Sequence, residues 1–368
     1  MTTAEIDLGA LDHNYHQLRQ LTYPTVKFLA VVKADAYGHG AIPVSKRLEE
    51  LGADFLGVAT VQEGIELRNG GIKKPILVLS GVYQEEVEAA LDYHLTPMLY
   101  RWDIAEVLAA AASARGIKVP IHIKVDTGMG RIGVLFEEVP AFVNHVRKLE
   151  NLEIEGIASH FSTADEKSAS YAEEQLRRFL QVIEEMKKLG IHPPFYHIAN
   201  SAAVVNLPAA QFTVVRPGIM LYGSYPSTSL RDKVSLRQVM CWKSRIADLK
   251  KVPTGYPISY GRTFVTQRPS LIAAIPVGYA DGYNRLLSNR GEVLVKGKRT
   301  PVVGRVCMDW TMVDVTNISG VEVGEEVVLM GGQLGDEITP EEIGEWIGTN
   351  SYEILCSVGK RVQRIYKG

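Results

Sequence analysis

Cysteine is scarce: Cys241, Cys307 and Cys356 are the only three in 368 residues. Their odd number and wide spacing argue against a disulfide framework or a zinc site, so no bound metal is expected. A surplus of either charge is missing too, since 40 basic residues meet 42 acidic ones for a net charge of −2. That balance offers no field to nucleic acid or to a membrane surface. The N-terminus, Met1 to Asp7, has neither the basic nor the apolar part of a secretory signal. No run approaches the ~20 apolar residues of a membrane span. A soluble, cytoplasmic protein is the expectation.

What is present is organised around Phe28 to Gly40, where an apolar run stops at Lys33 and breaks into small, polar and glycine residues. A β-branched, apolar run reads as a strand buried on both faces, as in parallel sheets. Lys33 therefore leaves the core at the strand's C-terminal rim. Burying an unpaired ammonium is costly, so its amine is either paired or used covalently. Tyr37, followed by Gly38 and Gly40, suits a loop that wraps an anion with backbone amides and a phenol.

The chain is too long for one ordinary core and suggests roughly two domains, with a barrel as the case that can use ~250 residues alone. Eight apolar runs fall between residues 28 and 218: Phe28 to Ala34, Asp54 to Thr60, Pro75 to Ser80, Leu95 to Tyr100, Pro120 to Asp126, Leu152 to His160, Phe195 to Ser201 and Phe212 to Gly218. Between them lie helical stripes such as Ala172 to Lys188, with Leu176, Phe179, Ile183 and Met186 three and four apart. Eight strand and helix repeats predict an α/β fold, a (β/α)8 TIM-like barrel over residues 1–238, rather than a doubly wound open sheet.

After Val239 the pattern changes. Short runs, Leu271 to Val277, Glu292 to Val295, Pro301 to Val306, Thr311 to Val315 and Glu326 to Leu329, are split by Gly, Asn and Lys-Gly turns. One helical candidate, Pro340 to Ile347, stands among them. Residues 239–368 are thus expected to form a mainly β C-terminal domain. The Thr3 to Leu8 strand fits either half.

In such a barrel, chemistry belongs at the C-terminal strand ends. There the sequence puts Lys33, Thr60, Ser80, Lys124 with Asp126, His160, Ser201 and Arg216. Taken singly, several of these have plainer readings. Arg216-Pro-Gly-Ile219 is a turn with a solvated guanidinium, Lys124 to Arg131 a glycine-rich turn with surface charges, and His160 a satisfied structural histidine. Their concentration at one rim is what marks an active site.

The stretch Ala30-Val-Val-Lys-Ala-Asp-Ala-Tyr-Gly-His-Gly40 resembles the pyridoxal-phosphate signature of alanine racemases. The likeness continues through Lys124 to Arg131, Ala158-Ser-His-Phe161, Arg216 to Ile219, Ile258-Ser-Tyr-Gly-Arg-Thr-Phe264, Gly278 to Gly282, Gly304 to Asp309 and the C-terminal Arg-Ile-Tyr. It implies pyridoxal 5'-phosphate held by Lys33 as a Schiff base, with Tyr37, Ser201, Gly218, Ile219 and Tyr352 on the phosphate. Arg216 would bond the pyridine nitrogen, with His160 between it and Tyr260. Because a guanidinium stays protonated, it makes the ring a weaker electron sink than a carboxylate partner would.

The resemblance also implies two bases, one on each face of Cα: Lys33 acting on D-alanine and Tyr260, from the second subunit of a homodimer, acting on L-alanine. A phenol needs tuning neighbours for that work, and the resemblance implies His160 and Arg216 in that part. Arg131 and the Met308 amide would bind the substrate carboxylate, Met308 also across the interface. Lys124, carbamylated in many members, would hold Arg131, Asp309 would assist Met308, and Tyr279 would narrow the entrance. The implied activity is interconversion of L- and D-alanine, supplying D-alanine for peptidoglycan.

Four positions depart from the family pattern: Trp310, Tyr256, Asn284 and Gln363. Trp310 matters most, because its bulk adjoins Met308 and Asp309. An amino-acid decarboxylase of the same cofactor class would be expected to set an acidic group on the pyridine nitrogen, against Arg216. A cofactor carrier would need no β domain. Serine remains a live alternative substrate, since one hydroxyl is weakly discriminated in a small pocket.

Overall fold

The computed structural model describes residues 2–368. Eight parallel strands run Lys27–Val31, Phe55–Val58, Ile76–Val78, Leu95–Leu99, Val119–Asp126, Leu152–Ala158, Phe195–His197 and Val214–Val215. Each pairs with the next in that order down to Phe195–His197, and Val214–Val215 returns to pair with Lys27–Val31. A single parallel bridge, Asn200 to Arg216, spans the remaining gap. The predicted barrel is therefore present and nearly closed. Each expected run holds one strand, because strands covered on both faces are written as predominantly apolar segments.

Helices cover the outside. Ser170–Lys188 buries Ala172, Phe179, Val182, Ile183 and Met186, the face its periodicity marked. Among the described residues, no helix is long and apolar enough to cross a membrane.

The rest is mainly β. One sheet is ordered Lys298–Pro301, Glu292–Val295, Glu326–Gln333, Met240–Arg245, Thr3–Asp7 and Gln363–Lys367. Thr3–Asp7 lies antiparallel to Met240–Arg245 and parallel to Gln363–Lys367, so the first strand of the chain joins the C-terminal strands. A second sheet holds Asp248–Val252, Ser270–Ile275 and Thr311–Asp314.

Two local expectations are corrected. Pro301 to Val306 is not a strand; Lys298–Pro301 is, folding back on Glu292–Val295 through Lys296 and Gly297, both with positive φ. Such a two-residue turn sets the hairpin register and ends the ladder at Pro301, whose successors leave the sheet. Pro340–Ile347 is joined by a further helix, Ser351–Ser357, capped by the Asn350 side chain and burying Ile354 and Leu355. Seven residues are too few to show a helical stripe.

Candidate active site

Beyond Lys27–Val31 the chain turns left-handed. Ala34, Asp35, Ala36 and Tyr37 all have φ between 52° and 53°. Such backbone costs about 1–2 kcal/mol per residue without glycine, so surrounding groups must hold it. They do: the Ala34 amide donates to Glu63 Oε1 at 2.7 Å and the Ala41 amide to Asp35 Oδ1 at 2.7 Å. His39 Nδ1 donates to the Ala36 and Tyr37 carbonyls at 3.0 and 2.9 Å. Glu63 is itself fixed by a capping box with Thr60. Lys33 thereby stands at the rim, its amine drawn below the ordinary lysine value by burial and then by the charge of Arg131.

The turn aims Tyr37 at the end of the eighth strand. A Cβ on Gly218 would come within 2.6 Å of the Tyr37 hydroxyl, so glycine is what lets the two meet. The Gly218 amide donates to Ser201 Oγ at 2.8 Å, which leaves the Ser201 hydroxyl proton free. Ile219 begins a short 3-10 helix, so its amide has no partner within that helix. The Tyr352 ring lies 6.1 Å from that of Tyr37, tilted by 50°. Gly218 is thus ringed by hydroxyl and amide donors, the set a phosphate ester needs.

Arg216 is buried beneath this cradle. Its Nη1 donates to His197 Nδ1 at 2.8 Å; its Nη2 donates to the Ser159 carbonyl at 2.6 Å and to His160 Nδ1 at 3.1 Å. A guanidinium only donates, so both histidines present lone pairs there and carry their protons on Nε2. Burial, and then Arg216, holds His160 well below the ordinary histidine value. No hydrogen bond engages Arg216 Nε among the described residues, and that donor remains for a ligand.

Lys124 and Asp126 end the fifth strand. Asp126 Oδ1 accepts the amides of Gly128, Met129 and Gly130 at 2.8, 2.9 and 3.2 Å, shaping the loop that carries the exposed Arg131. Burial first, then Arg216 and Arg131, pushes the Lys124 amine well below its ordinary value. Lys33, Lys124, Arg131 and Arg216 converge on one rim, a field suited to an anionic ligand.

Tyr260, Tyr279, Met308 and Asp309 lie on the β half. Tyr260 follows Pro257–Ile258 in a hairpin tied down by Ser259 Oγ donating to the Arg305 carbonyl at 2.6 Å. The Tyr279 and Ala280 amides donate to the Cys307 and Met308 carbonyls, both at 3.0 Å, which joins Tyr279 to Met308. Asp309 pairs with Arg361 at 2.8 Å. Tyr260 is 72% exposed and Met308 54%. Tyr256, Tyr260 and Trp310 line a cavity of about 530 Å³ with Ile258, Cys307 and Met312, to which the barrel contributes no residue. The two groups of candidates are not brought together within one chain by any contact found among the described residues.

Residues 6–226 match the family description "Alanine racemase, N-terminal domain" and residues 239–366 match "Alanine racemase, C-terminal domain". The chain belongs to the alanine racemase family. It is 49% identical to alanine racemase of Halothermothrix orenii over 366 residues, covering 100% of this chain and 97% of that one. It is 47% identical to alanine racemase 2 of Caldanaerobacter subterraneus subsp. tengcongensis, covering 99% and 94%. Among solved structures, alanine racemase of Clostridium difficile 630 superposes with a TM-score of 0.96 at 39% identity, covering 100% and 95%. That of Bacillus anthracis with bound L-Ala-P gives 0.94 at 36%, also covering 100% and 95%.

Beside the residues expected from the family pattern, the structure brings in Glu63, His122, Glu155 and His197. Thr60-Val-Gln-Glu63 is a capping-box pattern and was legible as such. His122 interrupts an apolar run, which flags it. Nothing in the sequence pairs it with His197.

Proposed function

We propose that this isomerase interconverts L- and D-alanine, with pyridoxal phosphate seated between Lys33 and Arg216. The carrying observation is Arg216 itself: a buried guanidinium, fixed by two histidines and two carbonyls, with Nε uncommitted at the floor of a cation-lined rim. Bound there, pyridoxal phosphate supplies an electron sink that acidifies the Cα–H of an amino acid. The uncommitted donors around Gly218 fit its phosphate, and the depressed Lys33 amine fits covalent attachment to its aldehyde.

In this reading Lys33 moves a proton on one face of Cα and Tyr260 on the other. Inversion needs both, because a single base would return the proton to the face it came from. The exposed Tyr260 and Met308, with no barrel residue in the cavity that Tyr260 lines, support a homodimer in which each β half completes the partner's site. The division is proposed as a barrel over 1–238 and a β unit over 239–368, with Thr3–Asp7 lending its strand to the latter. Arg131 would bind the substrate carboxylate, helped by the Met308 amide with Asp309 beside it, while Tyr279 narrows the entrance.

Lys124 would act as an N-carboxylate. Its amine, in the unprotonated form that burial favours, attacks carbon dioxide and releases one proton, which places an anion beside Lys33, Arg131 and Arg216, able to hold Arg131. An intact mass higher by one carbon dioxide, lost in Lys124→Ala, checks it.

The deciding experiment is circular dichroism of L-alanine and of D-alanine, incubated separately with the protein and pyridoxal phosphate. Both signals decaying to zero supports the reading; two unchanged signals with cofactor bound would overturn it.

A further inference from the structure

Behind Arg216 a chain of polar groups runs through the barrel. His197 Nε2 lies 2.7 Å from His122 Nδ1, and His122 Nε2 lies 3.5 Å from Glu155 Oε2. His122 shares a strand face with Lys124 and Asp126, two and four residues on, and so sits one layer deeper than the reactive rim. Both histidines are buried, whereas the Glu155 side chain keeps 31% exposure.

The barrel makes room for the His122 ring deliberately. Its strand slips register against Leu152–Ala158 between Ile121 and His122, and His122 then faces Gly156. A Cβ on Gly156 would lie 2.2 Å from His122 Nδ1. Phe195 stacks on the ring at 6.0 Å with the planes 10° apart. A bulge, a glycine and an aromatic shelf all serve one imidazole.

The chain has a single consistent polarity. Arg216 can only donate, so His197 Nδ1 accepts and its proton is on Nε2. That proton points at His122 Nδ1, which must accept, leaving the second proton on His122 Nε2, which has no hydrogen-bond partner but stands 3.5 Å from the Glu155 carboxylate, within reach of its charge. Reversing either ring would set an N–H group of His197 against Arg216 or against His122, or turn a His122 lone pair toward the Glu155 carboxylate, and each is repulsive. A carboxylate at the far end favours one polarity for all three links.

Given that Arg216 contacts the cofactor ring, as argued above, we propose that His122 and Glu155 are positioning residues for it: they hold His197 as the Nε2–H tautomer, so that its Nδ1 lone pair fixes the guanidinium. Neither touches substrate or cofactor. Every ring lone pair in the chain is engaged, so neither imidazole accepts a second proton without breaking a link. Arg216 stays the one permanent cation of the series.

The test is made on the cofactor-loaded protein with ¹⁵N-labelled histidine, reading tautomers from long-range ¹H–¹⁵N spectra, together with kcat and KM for both alanines. The wild type should show His197 and His122 neutral and protonated on Nε2. Glu155→Ala, a change at a partly exposed side chain, should split His197 between its tautomers and lower kcat about 10-fold with KM within about twofold, as removal of an outer-shell orienting group does. Glu155→Gln keeps an acceptor oxygen at the same reach and should hold the tautomer and most of kcat. A wild-type His197 protonated on Nδ1, or a Glu155→Ala protein unchanged in tautomer and in kcat, would overturn the proposal. Because tautomers are read without turnover, a wild type with the expected tautomers but no racemisation refutes the activity, and leaves the polarity of the chain standing.

Discussion

The Tyr37 hydroxyl is seated against the bare backbone of Gly218, at the place a Cβ would occupy to within 2.6 Å. Gly218→Ala must therefore push the phenol out of the cradle or shift the backbone that presents the Ile219 amide. Overpacking of this kind costs about 1–3 kcal/mol where it cannot relax; when the phenol swings out to relieve it, the loss moves from the fold to the phosphate contact, and the same energy is about 5- to 150-fold in a dissociation constant. Titration of the variant with pyridoxal phosphate should show that weakening, with the thermal midpoint of the cofactor-free protein moving far less. Unchanged cofactor affinity would remove Tyr37 and Gly218 from the phosphate site.

Lys33 is the covalent anchor in the proposed reading. Lys33→Ala should retain no cofactor mass after borohydride reduction and denaturation. Its racemisation should fall by at least about 10³-fold, within the range lost with a positioned proton-transfer group. A reduced adduct that persists in the variant would point to another lysine. Lys124 is the nearest rival, buried and depressed for the same reasons.

How much of this was readable in advance depends on the kind of contact. Strand ends were legible because parallel strands covered on both faces are written as largely apolar runs, so Lys33 and Arg216 announce themselves as the first charged residues after theirs, and Lys124 and His160 as polar groups gathered at the ends of theirs. The chain from Arg216 to Glu155 was not legible. It depends on how three strands register, including a one-residue slip at His122 that leaves no mark in composition. Thr3–Asp7 is similar: its partners lie more than two hundred residues away, and an alternating pentapeptide says nothing about where they are. The left-handed turn after Lys33 was missed for another reason. Ala34 to Tyr37 contains no glycine, and its backbone is held by bonds to Glu63, Asp35 and His39 together with the turn's own amide bonds, none of which composition reveals.

Acid should destabilise the protein earlier than its carboxylates alone would. Burial draws His39 down to about 4 from an ordinary 6.5, and burial likewise depresses His122, His160 and His197. For each, the folded value lies below the unfolded one, so the unfolded chain binds more protons in the window between. The stabilisation is complete above about pH 6.5 and is lost as pH falls through the folded values, by about 1.4 kcal/mol per unit for each histidine. Urea unfolding of the cofactor-free protein should show midpoints falling steeply from just below pH 6.5. A flat profile down to pH 5 would mean these imidazoles are charged in the fold.

The exposure of Tyr260 makes its partner the last question, and two damaged proteins answer it together. Tyr260→Phe should keep its cofactor and lose about 10²- to 10⁴-fold in racemisation, and Lys33→Ala is dead by a different lesion. If Tyr260 serves the other subunit, a mixed dimer has one site carrying both lesions and one site carrying neither. Subunits exchanged at equal amounts then form half mixed dimers, each with half its sites intact, so roughly a quarter of wild-type activity should return. Were Tyr260 to act within its own chain, every site would keep one lesion and the mixture would stay as inactive as its parts.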